Sequence, residues 1–267
     1  MYSRWRLKSF PDLIDELQAK GKYSFVFSEL IRISSVSEGA ARKAVQRLQE
    51  RRRIARVWQD FWVIVPLEYS SRGMLPPEWF IDDLMRHVGK EYCVGLLSAA
   101  ALHGAAHQQP QVFQVLVPGV LRSVRRHGVH IRFYMRKCDA ERVLEKKKTP
   151  TGYLVCTRAE LTLIHLVAFM NDCGGIHNVY SVIDELAESL DSKLLEVAAA
   201  IEPRTPVLQR AGWMLERLGH ERAANDVHEV LSRRNFRHVP LATTAPADGA
   251  KSKRWKIIEN TIPEMEY

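Results

Sequence analysis

Along the first fifty positions apolar residues recur at helical spacing, and then the pattern switches to strands. In SFPDLIDELQAKG, Leu13, Ile14 and Leu17 form a stripe; Ser9 suits the cap, Pro11 the first turn and Gly21 the end. Tyr23 to Val26 predicts a brief extended piece, after which Ser28 can cap a short helix carrying Leu30 and Ile31. Ser35 with Glu38 fits a capping box for a third helix. There Ala41, Ala44, Val45 and Leu48 recur at three, four and seven and mark the buried face. RIARVWQ and FWVIVP read as two strands joined by a very tight turn near Gln59-Asp60. Three helices followed by a hairpin is the order of a winged helix-turn-helix, predicted here over residues 1–66.

The composition changes after Pro66. LEYSSRGMLPPEW predicts a loop around Pro76-Pro77 and a domain boundary. EWFIDDLMRHVGKEYCVGLLSAAALHGA reads as two helices, the first ending near Gly89. QVFQVLVP and VHIRFYMRK alternate as strands do, separated by a basic turn, and GYLVCT predicts another strand leading into the apolar helix AELTLIHLVAFM. NDCGGIHN breaks that helix, and VYSVIDELAESL, SKLLEVAAAIE, PVLQRAGWMLERLG and ANDVHEVLSRR continue as helices. ATTAPADGAKSK predicts a flexible linker, and RWKIIEN a last strand returning to the earlier sheet. The fold class is therefore mixed α/β: a winged helix-turn-helix, then residues 67–267 as a larger domain with a small sheet and a helical C-terminal part.

Charge sharpens this division. The chain of 267 residues has a formal net charge of +8. Residues 1–66 carry 13 Lys and Arg against 7 Asp and Glu, so about three quarters of the excess sits in the first quarter. Such a balance favours an anionic partner, most simply nucleic acid. Four cysteines (Cys93, Cys138, Cys156 and Cys173) lie far apart with no CxxC pair, which fits reduced thiols better than a disulfide framework or a structural zinc site. No apolar run approaches the roughly 20 residues that span a membrane. MYSRWRLKSF lacks the apolar core of a signal peptide. A cytoplasmic protein without a membrane partner is expected.

In a winged helix-turn-helix the third helix enters the major groove, where Arg, Lys and Gln reach base edges. Arg42, Lys43, Gln46 and Arg47 are residues of that kind at that spacing. Arg51, Arg52, Arg53 and Arg56 sit where phosphates would pass, supplying affinity more than sequence choice. With Ser37 they form the candidate DNA-binding set. A second basic stretch, LRSVRRHGVHIRFYMRK, holds Arg122, Arg125, Arg126, Arg132, Arg136 and Lys137 with no acid. Alternation of Val129, Ile131 and Phe133 against His130, Arg132 and Tyr134 predicts a strand with one wet, basic face. That face is an extra DNA contact, a docking face for an acidic partner, or a plain solvent-facing side of a sheet.

Other chemistry is thinner. His103 and His107 have the spacing of two helical metal ligands, but the Glu of HExxH is missing. Asp82-Asp83, Asp184-Glu185 and Asp172 are acids of the kind a magnesium nuclease needs, without a pattern that gathers them. DCGGIHN reads as a turn rather than a phosphate cradle. GxSxG, the P-loop, GxGxxG and a Cys-His nucleophile signature are absent.

The stretch YCVGLLSAAALHGAAHQQPQVFQVLVP, directly after the hairpin, resembles the AbiEi family of antitoxins from type IV toxin–antitoxin systems. HIRFYMRK, TRAELTLIHLVAF, VLQRAGWMLERLG and RWKIIEN follow in the order that family shows them, so the resemblance runs from about Asp12 to Asn260. It is sharpest over Val94 to His103. The resemblance implies an N-terminal winged helix that represses its own operon by binding promoter repeats. It also implies a larger C-terminal antitoxin domain, a nucleotidyltransferase-like toxin and a role in plasmid or phage defence. Wings in that family often turn through a basic residue and a glycine; here the turn is Gln59-Asp60, and an acid at the tip repels phosphate. The resulting expectation is a non-catalytic antitoxin and autorepressor binding double-stranded promoter DNA, with no cofactor or metal. The alternatives are a nuclease-like enzyme steered by the winged helix, and an interaction protein docking through the strand around Arg132.

Overall fold

Ser9 and Asp12 close a reciprocal capping box that starts α1 (Phe10–Ala19), with Pro11 in its first turn. The computed structural model describes residues 9–34, 36–105, 110–138 and 140–265. After α1 come β1 (Ser24–Val26), α2 (Phe27–Ile33) and α3 (Glu38–Glu50), then β2 (Ile54–Trp58) and β3 (Phe61–Ile64). The three strands form one antiparallel sheet in the order β1-β3-β2. Two caps differ from expectation. Ser28 lies inside α2, behind Val26 at the cap position. The α2 start is satisfied from across the chain, by the Asp60 carboxylate accepting from the Ser28 amide and hydroxyl. Ser35 lies outside the described residues, and α3 is capped by Ser37, whose hydroxyl accepts from the Ala40 amide.

The hairpin is buried on both faces, and this decides how the two halves of the chain relate. Ile54, Trp62 and Ile64 join Phe10, Ile14, Leu30, Val45 and Leu48 in one core. Ala55, Val57, Phe61 and Val63 point the other way, into a second core with Phe80, Ile81, Leu84, Val115 and Ile131. Every residue of β3 is buried for this reason. Residues 9–34 and 36–66 are thereby held against the rest by an apolar sheet face.

Beyond α4 (Ile81–Val88), a six-stranded mixed sheet combines β4 (Cys93–Val94), β5 (Phe113–Val117), β6 (Val124–Arg126), β7 (Val129–Met135), β8 (Leu144–Thr149) and β9 (Gly152–Thr157). Its order is β6-β7-β5-β4-β9-β8, with β5–β7 and β4–β9 parallel. Helix α5 (Leu96–Leu102) lies between β4 and β5 in sequence. Three of these strands are not predicted from the sequence: β4 is two residues long, while β6 and β8 carry one apolar residue each among charges. The basic turn before VHIRFYMRK is in fact β6 and a two-residue hairpin turn, His127-Gly128, with φ of 46° and 78°.

The C-terminal part is helical: α6 (Ala159–Ala168), α7 (Gly175–Ala187), α8 (Ser192–Ile201), α9 (Thr205–Arg217) and α10 (Glu221–Ser232). Helix α6 is buried on every side from Ala159 to Val167, with Glu160, Thr162 and His165 included, the signature of a central helix. The last strand does not return to the earlier sheet. It is the middle of a separate small one: β10 (Val239–Pro240), β11 (Ala250–Lys251) and β12 (Ile257–Glu259), ordered β10-β12-β11. The expected flexible linker is tied down as well: the Asn260 amide donates to the carbonyls of Ala242, Ala245 and Pro246. Trp255, fully buried, lies against Gly212 of α9, where a Cβ would come within 2.0 Å of the indole.

Cys93 and Cys138 form a disulfide with Cα atoms 6.2 Å apart, which corrects the expectation of four reduced thiols. The two are 45 residues apart in sequence, and only the sheet brings them together. Cys156 and Cys173 are free and buried, and burial pushes both thiols up to about 12. Native protein treated with iodoacetamide at about pH 8 should leave both unlabelled, and denaturation should expose both. Labelling of either in the native state, read by mass spectrometry, would contradict that burial.

Candidate nucleic-acid interface

Helix α3 buries Ala41, Val45 and Leu48 and exposes Arg42, Lys43, Gln46, Arg47 and Gln49. Two of the exposed side chains are already oriented along the helix. Arg42 pairs with Glu38 at 2.6 Å one turn back and lies over the Phe27 ring at 5.8 Å. The Gln46 amide donates to Glu50 at 3.1 Å. These exposed i,i+4 ties are weak, so both side chains remain available to a ligand at modest cost. Lys43 and Arg47 project fully from the same outer surface.

The arginines after α3 divide. Arg51 caps the helix with an exposed side chain. Arg52 adopts a left-handed backbone (φ 54°) and donates to the Ser71 carbonyl at 3.2 Å. Arg53 turns back to Asp15 at 2.7 Å, fastening the end of α3 to α1. Arg56, on the exposed edge of β2, stacks over Trp62 at 5.9 Å and donates to the Trp58 carbonyl.

Arg56 is where the two basic stretches meet. On one side it lines a groove of about 540 Å³ together with Arg42, Gln46, Gln49 and Gln59. On the other it lines a groove of about 500 Å³ between β2 and β6, together with Arg122, Arg125 and Arg126. All three of these arginines are exposed. Arg125 donates to the His130 ring at 3.2 Å. Burial and the neighbouring Arg125 and Arg132 charges hold His130 below its ordinary pKa, so it stays a neutral acceptor. The acid at the hairpin tip, Asp60 (φ 62°), also lines the first groove, where its carboxylate accepts from Ser28 at the start of α2.

The remainder of the second basic stretch behaves differently. The expected alternation on β7 fails after Arg132: Tyr134 is 6% exposed while Met135 is 68% exposed. Arg132 pairs with Asp172 at 2.9 Å and lies over the Tyr134 ring. Arg136 pairs at 2.7 Å with Glu202, whose side chain has no exposed surface. Both acids come from far along the chain, out of sight of the local sequence.

The other candidate groups do not converge. Asp82 and Asp83 both hold Arg86; Asp82 also accepts from Tyr92, and Asp83 from Ser24. Asp184 meets His220 at 2.7 Å. His103 faces the Thr157 carbonyl at 2.7 Å, and His107 lies outside the described residues. Among the described residues, no group of three or more His, Cys, Asp or Glu is placed to hold a metal ion. No helix among them is long and apolar enough to cross a membrane. Sequence reasoning missed the juxtaposition of Arg56 with Arg122, Arg125 and Arg126. The signal that could have found it is His127-Gly128, a two-residue turn flanked by Val124 and Val129.

Residues 93–217 match the family described as the AbiEi antitoxin C-terminal domain. No curated protein matches the chain. The crystal structure of RV2827C protein from Mycobacterium tuberculosis aligns over 94% of this chain and 92% of its own, with a TM-score of 0.69 and 14% sequence identity. That is a likeness of fold alone.

Proposed function

We propose that this chain, which carries an AbiEi antitoxin C-terminal domain over residues 93–217, is an antitoxin that represses its own operon by binding promoter DNA. The observation that carries this reading is the continuous basic strip from α3 across Arg56 to β6. Helix α3, with β1 to β3 behind it, acts as the recognition helix of a winged helix-turn-helix. Arg42, Lys43, Gln46 and Arg47 read base edges, where Arg reaches guanine and Gln adenine. Arg51, Arg56, Arg122, Arg125 and Arg126 hold phosphates, which sets register and affinity without reading sequence. The C-terminal domain therefore joins in DNA binding through β6, in addition to supplying antitoxicity. The toxin it counteracts is nucleotidyltransferase-like, as the family resemblance implies. The paired state of Asp82, Asp83, Asp172 and Asp184 favours this over a nuclease.

Two substitutions test the division of labour. Arg47→Ala should weaken binding to the operator by about 1–3 kcal/mol and leave scrambled DNA nearly untouched. Arg51→Ala should weaken both duplexes alike and lower the salt slope by about 0.9. Arg51 is a cleaner phosphate probe than Arg52, whose guanidinium is held by the Ser71 carbonyl. Equal losses on both duplexes for Arg47→Ala would remove it from base reading.

A further inference from the structure

The first turn of α3 carries two exposed residues whose place the packing of the fold does not explain. One is Gly39, where an added Cβ would meet nothing within 4 Å. Glycine lowers helix stability, so a bare position in open space is explained by something outside the chain coming close. The other is Glu38, an acid at the end of the helix that a recognition helix turns toward base edges. A carboxylate there repels DNA phosphates. Its use lies one turn on. Arg42 donates from Nε and Nη2 to one Glu38 oxygen, at 3.0 and 2.6 Å. The Phe27 ring lies beneath the same guanidinium, its centroid 5.8 Å from Cζ.

A guanidinium holds five N–H donors in a rigid fork. Glu38 takes the Nε hydrogen and one Nη2 hydrogen, which make up one side of that fork. The terminal pair, on Nη1 and Nη2, stays free, and such a pair matches O6 and N7 of a guanine in the major groove. The geometry points to Glu38 as a positioning residue that presents Arg42 end-on to a guanine, with Gly39 letting the first turn of α3 reach the bases. This inference rests on the operator-binding reading and adds to it which side chain is aimed, at which base and by what. In water the Glu38–Arg42 pair is exposed and weak. In a groove that excludes water the same pair strengthens, so its effect falls on the DNA-bound state.

The test uses the full chain, a duplex from upstream of its own gene and a scrambled duplex, read by fluorescence anisotropy at one salt concentration. Glu38→Gln should raise affinity for the scrambled duplex about twofold, because a negative charge leaves the DNA face. It should also lower the preference for the upstream duplex at least about fivefold. In an Arg42→Ala background, Glu38→Gln should change that preference by less than about twofold. An acid that served only the helix start would move the Tm and leave no such coupling. Gly39→Leu places its side chain in open space, so it should keep the fold and still cost at least about tenfold on the upstream duplex. Upstream DNA carrying 7-deazaguanine for guanine lacks N7 and should lose more affinity for the parent than for Arg42→Ala. An unchanged preference in Glu38→Gln, or the same change with and without Arg42, would overturn the proposal. So would equal 7-deazaguanine losses for parent and Arg42→Ala, or undiminished binding by Gly39→Leu. A parent with no preference between the two duplexes would sink the operator reading itself, and this inference with it.

Discussion

Replacing Arg122, Arg125 and Arg126 together with alanine should lower affinity for duplex DNA about 100-fold near physiological salt. Each phosphate neutralised by a protein cation contributes roughly 0.9 to the slope of log affinity against log salt, so three removed contacts flatten it by about 2.7. At a physiological salt concentration that corresponds to about 3 kcal/mol. The loss should be equal on promoter and scrambled duplexes, because these side chains meet the DNA backbone rather than the bases. The substitutions spare the fold: all three side chains are exposed, while Val124, the residue that seats β6, is 4% exposed and unchanged. Fluorescence anisotropy at several salt concentrations reads both affinity and slope. An unchanged slope would put the groove beside β2 outside the DNA footprint and leave α3 to bind alone.

Glu202→Ala should destabilise the protein by about 2–3 kcal/mol, less than the roughly 3–5 kcal/mol for breaking a fully buried ion pair because both arginine partners reach solvent. Glu202 is fully buried, and Arg136 and Arg204 both converge on it, at 2.7 and 2.8 Å. Alanine leaves the Arg136 guanidinium, 20% exposed, without its acid, while Arg204, 46% exposed, can turn to water. For a chain of this length the expected fall in Tm is on the order of 10 °C. Burial alone would raise the Glu202 carboxyl, but hydrogen bonds from Arg204 and the charges of Arg136 and Arg204 outweigh it and hold it below the usual range. Its contribution is therefore present above the unfolded carboxylate pKa of about 4.3 and is lost as pH falls through the folded value. The gap between parent and variant should narrow on acidification. His165 lies in the same neighbourhood, held down to about 3 chiefly by burial. Being neutral in the fold, it makes both proteins lose stability between about pH 6.5 and 3, where only the unfolded chain binds the proton. A Tm fall of less than about 2 °C for Glu202→Ala at neutral pH would mean that the cluster is dispensable.

What could be read in the sequence depended on whether the forces were local. Helices α1 and α3 and the β2–β3 hairpin each carry their own apolar period and turn residues, and they form where that period predicts. The basic outer face of α3 was legible for the same reason. β6 and β8 were not, because their pairing is set by neighbours: β6 by antiparallel register with β7, and β8 by six paired positions with β9. The fate of the second basic stretch depended on contacts no local window holds. Arg132 and Arg136 look like part of a free basic face until Asp172 and Glu202 arrive from the helical part. Arg122, Arg125 and Arg126 acquire their meaning only when β6 is laid beside Arg56.

The most direct test of the central claim is a binding titration of the full chain on a duplex from upstream of its own gene, against a scrambled duplex, across several salt concentrations. A strong preference for the upstream duplex is expected to persist at physiological salt, on a steep salt dependence that Arg51, Arg122, Arg125 and Arg126 share. Equal binding to both duplexes, collapsing as salt rises, would contradict it and reduce the strip from α3 to β6 to a nonspecific basic surface.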